Sequence, residues 1–215
     1  TGIGRMFGTL TALLRRVNRG CGPVLRGLGL LVAVVLGSCQ QPERTVPARQ
    51  KGPSAQDAYR RPAELIAALR IVPGQTIAEI GAGGGYLTPY LAHAVGSKGK
   101  VVSTDIDGEA LGALRQRTRE LPQVEARLVT REQSGLEPGR YDLVLLADVV
   151  HLLPAPSHYL LALFSALTKG GRVIVSGRID RREILDQAVK AAALTCSDVA
   201  IELPGQFVTE VRPAR

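Results

Sequence analysis

From residue 61 onward the apolar positions of this chain keep switching period. Short apolar runs, the mark of strands buried on both faces, alternate with stretches whose apolar residues recur every three or four positions, the mark of amphipathic helices. A first helix is predicted over 61–70, with Pro62 in its opening turn and Pro73-Gly74 beyond its end. Strands follow at about 76–80, 101–104, 124–129, 141–147 and 172–176. Helices are expected between them, over about 86–95, from Gly108 to Glu120, and over 156–167, with a last one at 181–194. Asp198–Leu203 and Gln206–Val211 flank Pro204-Gly205, a hairpin signal. Alternating β and α units imply an α/β doubly wound sheet of seven strands, mostly parallel and closed by a C-terminal antiparallel hairpin.

The pattern before residue 59 is different. Residues 40–58 are polar, with Pro42, Pro47 and Pro53, and read as a semi-extended tether. Upstream, Arg5, Arg15, Arg16, Arg19 and Arg26 precede the apolar run Leu28–Leu36 and then Gly37-Ser38-Cys39. That run is short of the ~18–20 apolar residues a spanning helix needs. A positive flank, a short apolar segment and small residues describe a secretory signal over 1–38. Leu36-Gly-Ser-Cys39 resembles a bacterial lipobox, which implies lipidation of Cys39, a tether over 39–58 and a domain over 59–215. The expected location is then the cell envelope, anchored to the membrane on the periplasmic side. An uncleaved anchor is the alternative, as is a start misplaced upstream, which would leave the domain cytoplasmic. Cys21 goes with the signal and Cys39 is modified, so Cys196 is left as a single thiol. No cluster has metal-ligand spacing, and no metal is expected.

Composition adjusts this picture in two places. Hydrophobic residues make up 45% and the mean hydropathy is +0.10, ample for a buried core. Aromatic residues are only 4%, without Trp, which argues against a stacking surface for single-stranded nucleic acid. The net charge of +8 would suggest a nucleic-acid partner, but five of the arginines lie in the signal segment. Without them the balance is unremarkable, and no nucleic-acid partner is expected. The oligomeric state is not legible.

The most informative stretch is Ile77-Ala-Glu-Ile-Gly-Ala-Gly-Gly-Gly-Tyr86 and the helix it opens. An apolar strand carrying an acid runs into a turn with Gly81, Gly83 and Gly85 at alternate positions. Such a turn lets the backbone take positive φ and lets a ligand approach main-chain N–H groups. A dinucleotide fingerprint would need glycine at 86, where Tyr86 stands. The remaining pattern, E-x-G-x-G-x-G, resembles the first motif of the class I S-adenosylmethionine-dependent methyltransferases. Three further stretches resemble that Rossmann-like family in register: Val101–Asp107, Tyr141–His151 and Leu167–Val175.

The resemblance implies S-adenosylmethionine as cofactor and assigns expected roles. Gly81, Ala82, Gly83 and Gly85 would pass beneath the methionine and ribose parts of the donor. Glu79 would orient that loop and face the sulfonium side, or else serve as a carboxylate near a helix N-terminus. Asp105 would accept both ribose hydroxyls, since two acceptor oxygens match a diol. An Asx-turn is the other reading of Asp105, and Asp107 suits a helix cap better. Ile106 would lie against the adenine. Glu132 would meet the adenine amine, or is a solvated surface acid. Asp148 would line the methyl-transfer face. His151 is either a proton acceptor or a histidine packing the loop. Tyr86 and Tyr59 would cover the donor or simply pack. The Asn/Asp-Pro-Pro-Tyr pattern of relatives that methylate nucleic-acid bases is replaced by Ala147-Asp-Val-Val150. The function implied is methyl transfer to a small-molecule or envelope acceptor. A lipid-anchored, catalytically silent binding module is the alternative, because the donor is made in the cytosol and a charged sulfonium does not cross a bilayer unaided.

Overall fold

The computed structural model describes residues 55–214. The expected signal, the lipidation candidate Cys39 and the tether up to residue 54 lie outside the described residues. Helix α1 (Ala55–Arg60) begins inside the stretch read as tether, and Arg61, in the left-handed region at φ 41°, separates it from α2 (Pro62–Ala68). The chain then runs β1 (Thr76–Ile80), α3 (Thr88–Val95), β2 (Lys100–Asp105), α4 (Gly108–Arg117), β3 (Val124–Leu128) and β4 (Tyr141–Ala147). It continues through α5 (Pro156–Leu163), β5 (Leu167–Arg178), α6 (Arg182–Ala191), β6 (Leu194–Asp198) and β7 (Gln206–Pro213). Among the described residues no helix is long and apolar enough to cross a membrane.

The seven strands form one sheet in the order β3-β2-β1-β4-β5-β7-β6. β1 to β5 are mutually parallel, and β7 lies antiparallel to both β5 and β6. The alternation of side chains along each strand divides the core into two layers. Ile77, Val101, Leu143, Leu145 and Ile174 face Leu65, Leu69, Leu91 and Val95 of the α2/α3 side. Ala78, Ile80, Val102, Val144 and Val175 face Leu160, Leu163, Leu185 and Val189 of α5 and α6. Each fully buried leucine contributes roughly 1.5–3 kcal/mol of transfer free energy, so the central strands are fixed by burial on both faces. Strand order reverses between β1 and β4. The crevice at their carboxyl ends is the place where open α/β sheets bind ligands.

The connection from β3 to β4, residues 129–140, contains no helix. It is held instead by the Arg127 guanidinium, which donates to Glu125, to Glu137 and to the Gly135 carbonyl. Glu137 in turn accepts from the Tyr141 hydroxyl.

Several helices end a few residues early, α4 at Arg117, α5 at Leu163 and α6 at Ala191, and two strands differ from expectation. The sixth strand was expected at 198–203 and lies at Leu194–Asp198, paired with β7 from Leu194↔Pro213 to Asp198↔Thr209. Beyond Asp198 the Ile201 N–H donates to the Val199 carbonyl at 2.7 Å, a tight bend that ends pairing. Val199, Ile201 and Leu203 are apolar because they cover the α2/α3 core, not because they form a strand. β5 is also longer than its apolar centre, starting at Leu167 with a register shift opposite Tyr141 and Leu143.

Candidate functional site

The glycine turn is tied to the end of β2. Gly81 N–H and Ala82 N–H both donate to the Thr104 carbonyl, at 2.9 and 3.0 Å. Gly83 N–H donates to Asp105 Oδ2 at 2.7 Å. Gly83 has φ +53°, and a Cβ there would meet nothing within 4 Å, so its open side is free for a ligand. Gly85 is required for two reasons: φ is +73°, and a Cβ would stand 2.7 Å from Leu114 Cγ. Gly85→Ala is therefore expected to destabilise the fold by about 2–4 kcal/mol, combining left-handed strain with overpacking. Gly83→Ala should cost only the strain. Urea denaturation of the two variants checks the difference, and equal losses would reject the packing role.

Glu79 does not face outward. It is 2% exposed, and its Oε2 accepts from Thr88 Oγ1 at 2.6 Å and Ser103 Oγ at 2.8 Å. Burial pushes its carboxyl up to about 7 against the two hydroxyls, and the Asp105 charge adds to the rise. The acid thus pins the first residue of α3 to β2 from below. The expectation that it faces a sulfonium is replaced by a structural tie, formed because odd-numbered β1 side chains point to the α3 layer.

A cleft of about 140 Å3 opens above the carboxyl ends of β1, β2 and β4. Asp105 and Ile106 line it together with Gly81, Val149, Leu152 and Arg131. Ile106 is 46% exposed, an apolar surface held open to the cleft. Asp105 Oδ1 accepts from Asp107 N–H at 2.9 Å while Oδ2 holds Gly83. A carboxylate has about four acceptor positions, so two remain for a ligand. The turn role read for Asp105 is thus present, and the carboxylate keeps acceptor capacity beside it. Asp107 caps α4, accepting from Glu109 N–H and Ala110 N–H. Thr130 and Arg131 line the cleft after β3, whereas Glu132 is exposed and is not part of the lining. The chain rises into the cleft at 130–131 and has turned away by 132. Tyr86 is half-buried beneath the Arg60 guanidinium, 5.6 Å from its ring centre. Tyr59 lines a second, narrow hollow of about 10 Å3 with Arg60, Ser176 and Asp148.

Asp148 joins the two hollows, lining both. It sits at φ 56°, uncommon for a side chain other than glycine, with its N–H donating to the Ser176 carbonyl at 2.8 Å. Its carboxylate pairs with Arg60 at 3.3 Å and Arg181 at 3.1 Å. His151 lies behind it, outside the cleft. Arg181 also approaches His151 Nε2 at 2.7 Å. The same guanidinium nitrogen is 3.4 Å from His151 Nδ1, which itself lies 4.0 Å from Asp148 Oδ1. Burial and the Arg181 charge hold the imidazole below its usual range, against the opposing pull of Asp148. Sequence reasoning missed Arg60 and Arg181, which stand on opposite sides of Asp148 in the chain and carry no motif. Among the described residues no group of His, Cys, Asp and Glu could hold a metal ion.

Comparison with known proteins agrees with this geometry. Residues 78–173 match a family described as a methyltransferase domain. Over 97 residues the chain is 36% identical to a tRNA (adenine(58)-N(1))-methyltransferase of Thermus thermophilus, covering 43% of this chain and 38% of that one. Over 107 residues it is 30% identical to a ubiquinone biosynthesis O-methyltransferase of Burkholderia thailandensis, covering 49% and 45%. The chain therefore spans less than half the length of these curated relatives. A crystal structure of a SAM-dependent methyltransferase from Aquifex aeolicus superposes with a TM-score of 0.66 at 19% identity, over 75% of this chain and 95% of that one. Residues 78–173 thus resemble a methyltransferase-domain family, and the described residues share the Rossmann-like fold of that crystal structure.

Proposed function

We propose that this protein is an S-adenosylmethionine-dependent methyltransferase acting on a small-molecule or envelope acceptor. The observation that carries the reading is the cleft itself. It joins the start of the anchored glycine turn at Gly81, a carboxylate with acceptor capacity to spare, and an exposed isoleucine on neighbouring strand ends, and Gly83 of the same turn has an open side. Asp105 would hold the ribose diol, Ile106 and Val149 would flank the adenine, and the open side of Gly83 would let the donor approach the backbone. The bound donor supplies a methyl made electrophilic by its sulfonium, so the protein's task is mainly alignment.

The acceptor side is the hollow beyond Asp148. His151, the sequence candidate for removing a proton, is crowded by the Arg181 guanidinium, and Asp148 is held between two arginines, so neither side chain is free to act as a base. The arrangement therefore favours an acceptor that is nucleophilic without deprotonation, such as a carboxylate, thiolate or neutral amine. Titration of the full chain with S-adenosylhomocysteine tests the reading. Micromolar binding is expected, and no heat at millimolar ligand would reject it.

The envelope location belongs to the same proposal. Residues 55–214 contain equal numbers of basic and acidic residues, so the chain's positive excess lies almost wholly before them, as a signal segment requires. Cys39→Ala is expected to move the protein from the membrane to the soluble fraction. An unchanged distribution would reject the lipid anchor.

A further inference from the structure

The α2/α3 face of the sheet changes character on its last strands. Ile174 and Val208 are buried there, but polar side chains follow them on the same face. Arg172 stands two residues before Ile174 on β5, Glu210 pairs with Ile174 across the β5/β7 ladder, and Ser197 pairs with Glu210 on β6. These residues and Arg212 border a cavity of about 320 Å3, which the end of α2 at Arg70 and the bend after β6 also line. The cavity is more than twice the donor cleft of about 140 Å3 and shares no lining residue with it. It lies toward the amino ends of the parallel strands, where Arg172 pairs with Leu143.

Three guanidiniums line this cavity, and the acids beside them do not answer all of their charge. Arg212 donates to Glu210 at 2.8 Å. Asp198, the other acid of the lining, pairs with Arg182 at 2.9 Å, a residue outside it. Arg172 is half-buried, donates to the Leu69 carbonyl at 2.6 Å and meets no carboxylate among the described residues. Arg70 is exposed, left-handed at φ 49°, and its side chain has no partner among the described residues. By contrast, Arg127 and Arg178 each pair with a carboxylate. Two positive charges are therefore left over around one hollow, and a cleft lined by one sign of charge concentrates the opposite ion. The Leu69 carbonyl steadies Arg172 through one nitrogen, leaving most of its N–H donors for a ligand. A phosphate monoester carries about −1.5 to −2 charge at pH 7 and several strong acceptor oxygens, so a single group matches both the residual charge and the donors. A lone carboxylate would answer only half of that charge.

We propose that this cavity is a binding site for a phosphate monoester group, separate from the methyl-donor cleft and independent of that reading. Arg70, Arg172 and Arg212 would hold the phosphate oxygens. The full-length protein is to be titrated by calorimetry with glycerol 3-phosphate and with succinate at constant ionic strength. Wild type should bind glycerol 3-phosphate with a Kd of about 0.1–1 mM. Succinate spreads its charge over two ends and should bind at least about tenfold more weakly. Arg70→Gln and Arg212→Gln should each weaken phosphate binding about 5–10-fold. Arg70 has no partner to lose, so Arg70→Gln should melt with wild type. Glu210→Gln removes the acid that competes for Arg212 and should tighten binding about 2–5-fold. Sedimentation with phosphatidylcholine vesicles, with and without phosphatidic acid, identifies the source of the phosphate. A gain from phosphatidic acid that is lost in Arg70→Gln assigns the site to a lipid headgroup, and glycerol 3-phosphate binding without that gain assigns it to a soluble ester. No binding of either phosphate probe, binding untouched by Arg70→Gln and Arg212→Gln, or succinate binding as tight as the ester would overturn the proposal. Binding of S-adenosylhomocysteine should be unchanged in all three variants, so this site and the donor cleft stand or fall separately.

Discussion

Replacing Asp105 with Ala should weaken binding of S-adenosylhomocysteine by about 5–150-fold, equivalent to about 1–3 kcal/mol. Two losses combine in that figure. The variant removes the acceptor for a ribose diol, and it also releases Gly83 N–H, which Asp105 Oδ2 holds at 2.7 Å. Asp105→Asn should fare little better. An amide has one acceptor oxygen and could serve either Gly83 N–H or Asp107 N–H, leaving its own NH2 facing the other donor. Calorimetry on the two variants decides the matter, and an unchanged dissociation constant in Asp105→Ala would remove Asp105 from the site.

Glu79 should make the fold sensitive to pH in a direction opposite to that of most carboxylates. Its folded value of about 7 exceeds the ordinary 4.5, so the folded protein holds this proton more tightly than the unfolded chain. The stabilisation is fully present below about pH 4.5, declines as pH rises toward 7, and stays lost above that. The shift corresponds to about 3 kcal/mol across that window. Glu79→Gln, neutral throughout, should therefore gain on wild type as pH rises. Urea midpoints at pH 5 and pH 8 measure this, and parallel behaviour of the two proteins would show that burial does not raise the acid. Exposed pairs such as Arg178 and Asp180 are screened by solvent and should contribute little to the difference.

Much of this architecture could be read from the chain because its strongest signals are local. Strand–helix alternation, the glycine turn and the acid after β2 each depend on residues within a few positions of one another. Asp105 and Ile106 accordingly stand at the end of β2, lining the cleft. Interactions set by distant partners were not legible. β6 takes its register from β7, so the apolar run Val199–Leu203 looked more like a strand than the true one. Glu79 was expected at the donor, but its direction follows from strand parity and from Thr88 and Ser103 below it. Asp148 was found without its arginines, since Arg60 lies 88 residues before it and Arg181 33 residues after.

The position of β7 has a consequence for how the protein is made. It is the last strand the chain reaches among the described residues, yet it sits between β5 and β6 and joins them. Wherever folding takes place, β1 to β5 can assemble in order. β6 must then wait unjoined, with β5 showing a bare edge, until residues 206–213 dock between them. Such edges pair readily with other chains. Chains truncated just before Gln206 should thus be the aggregation-prone species.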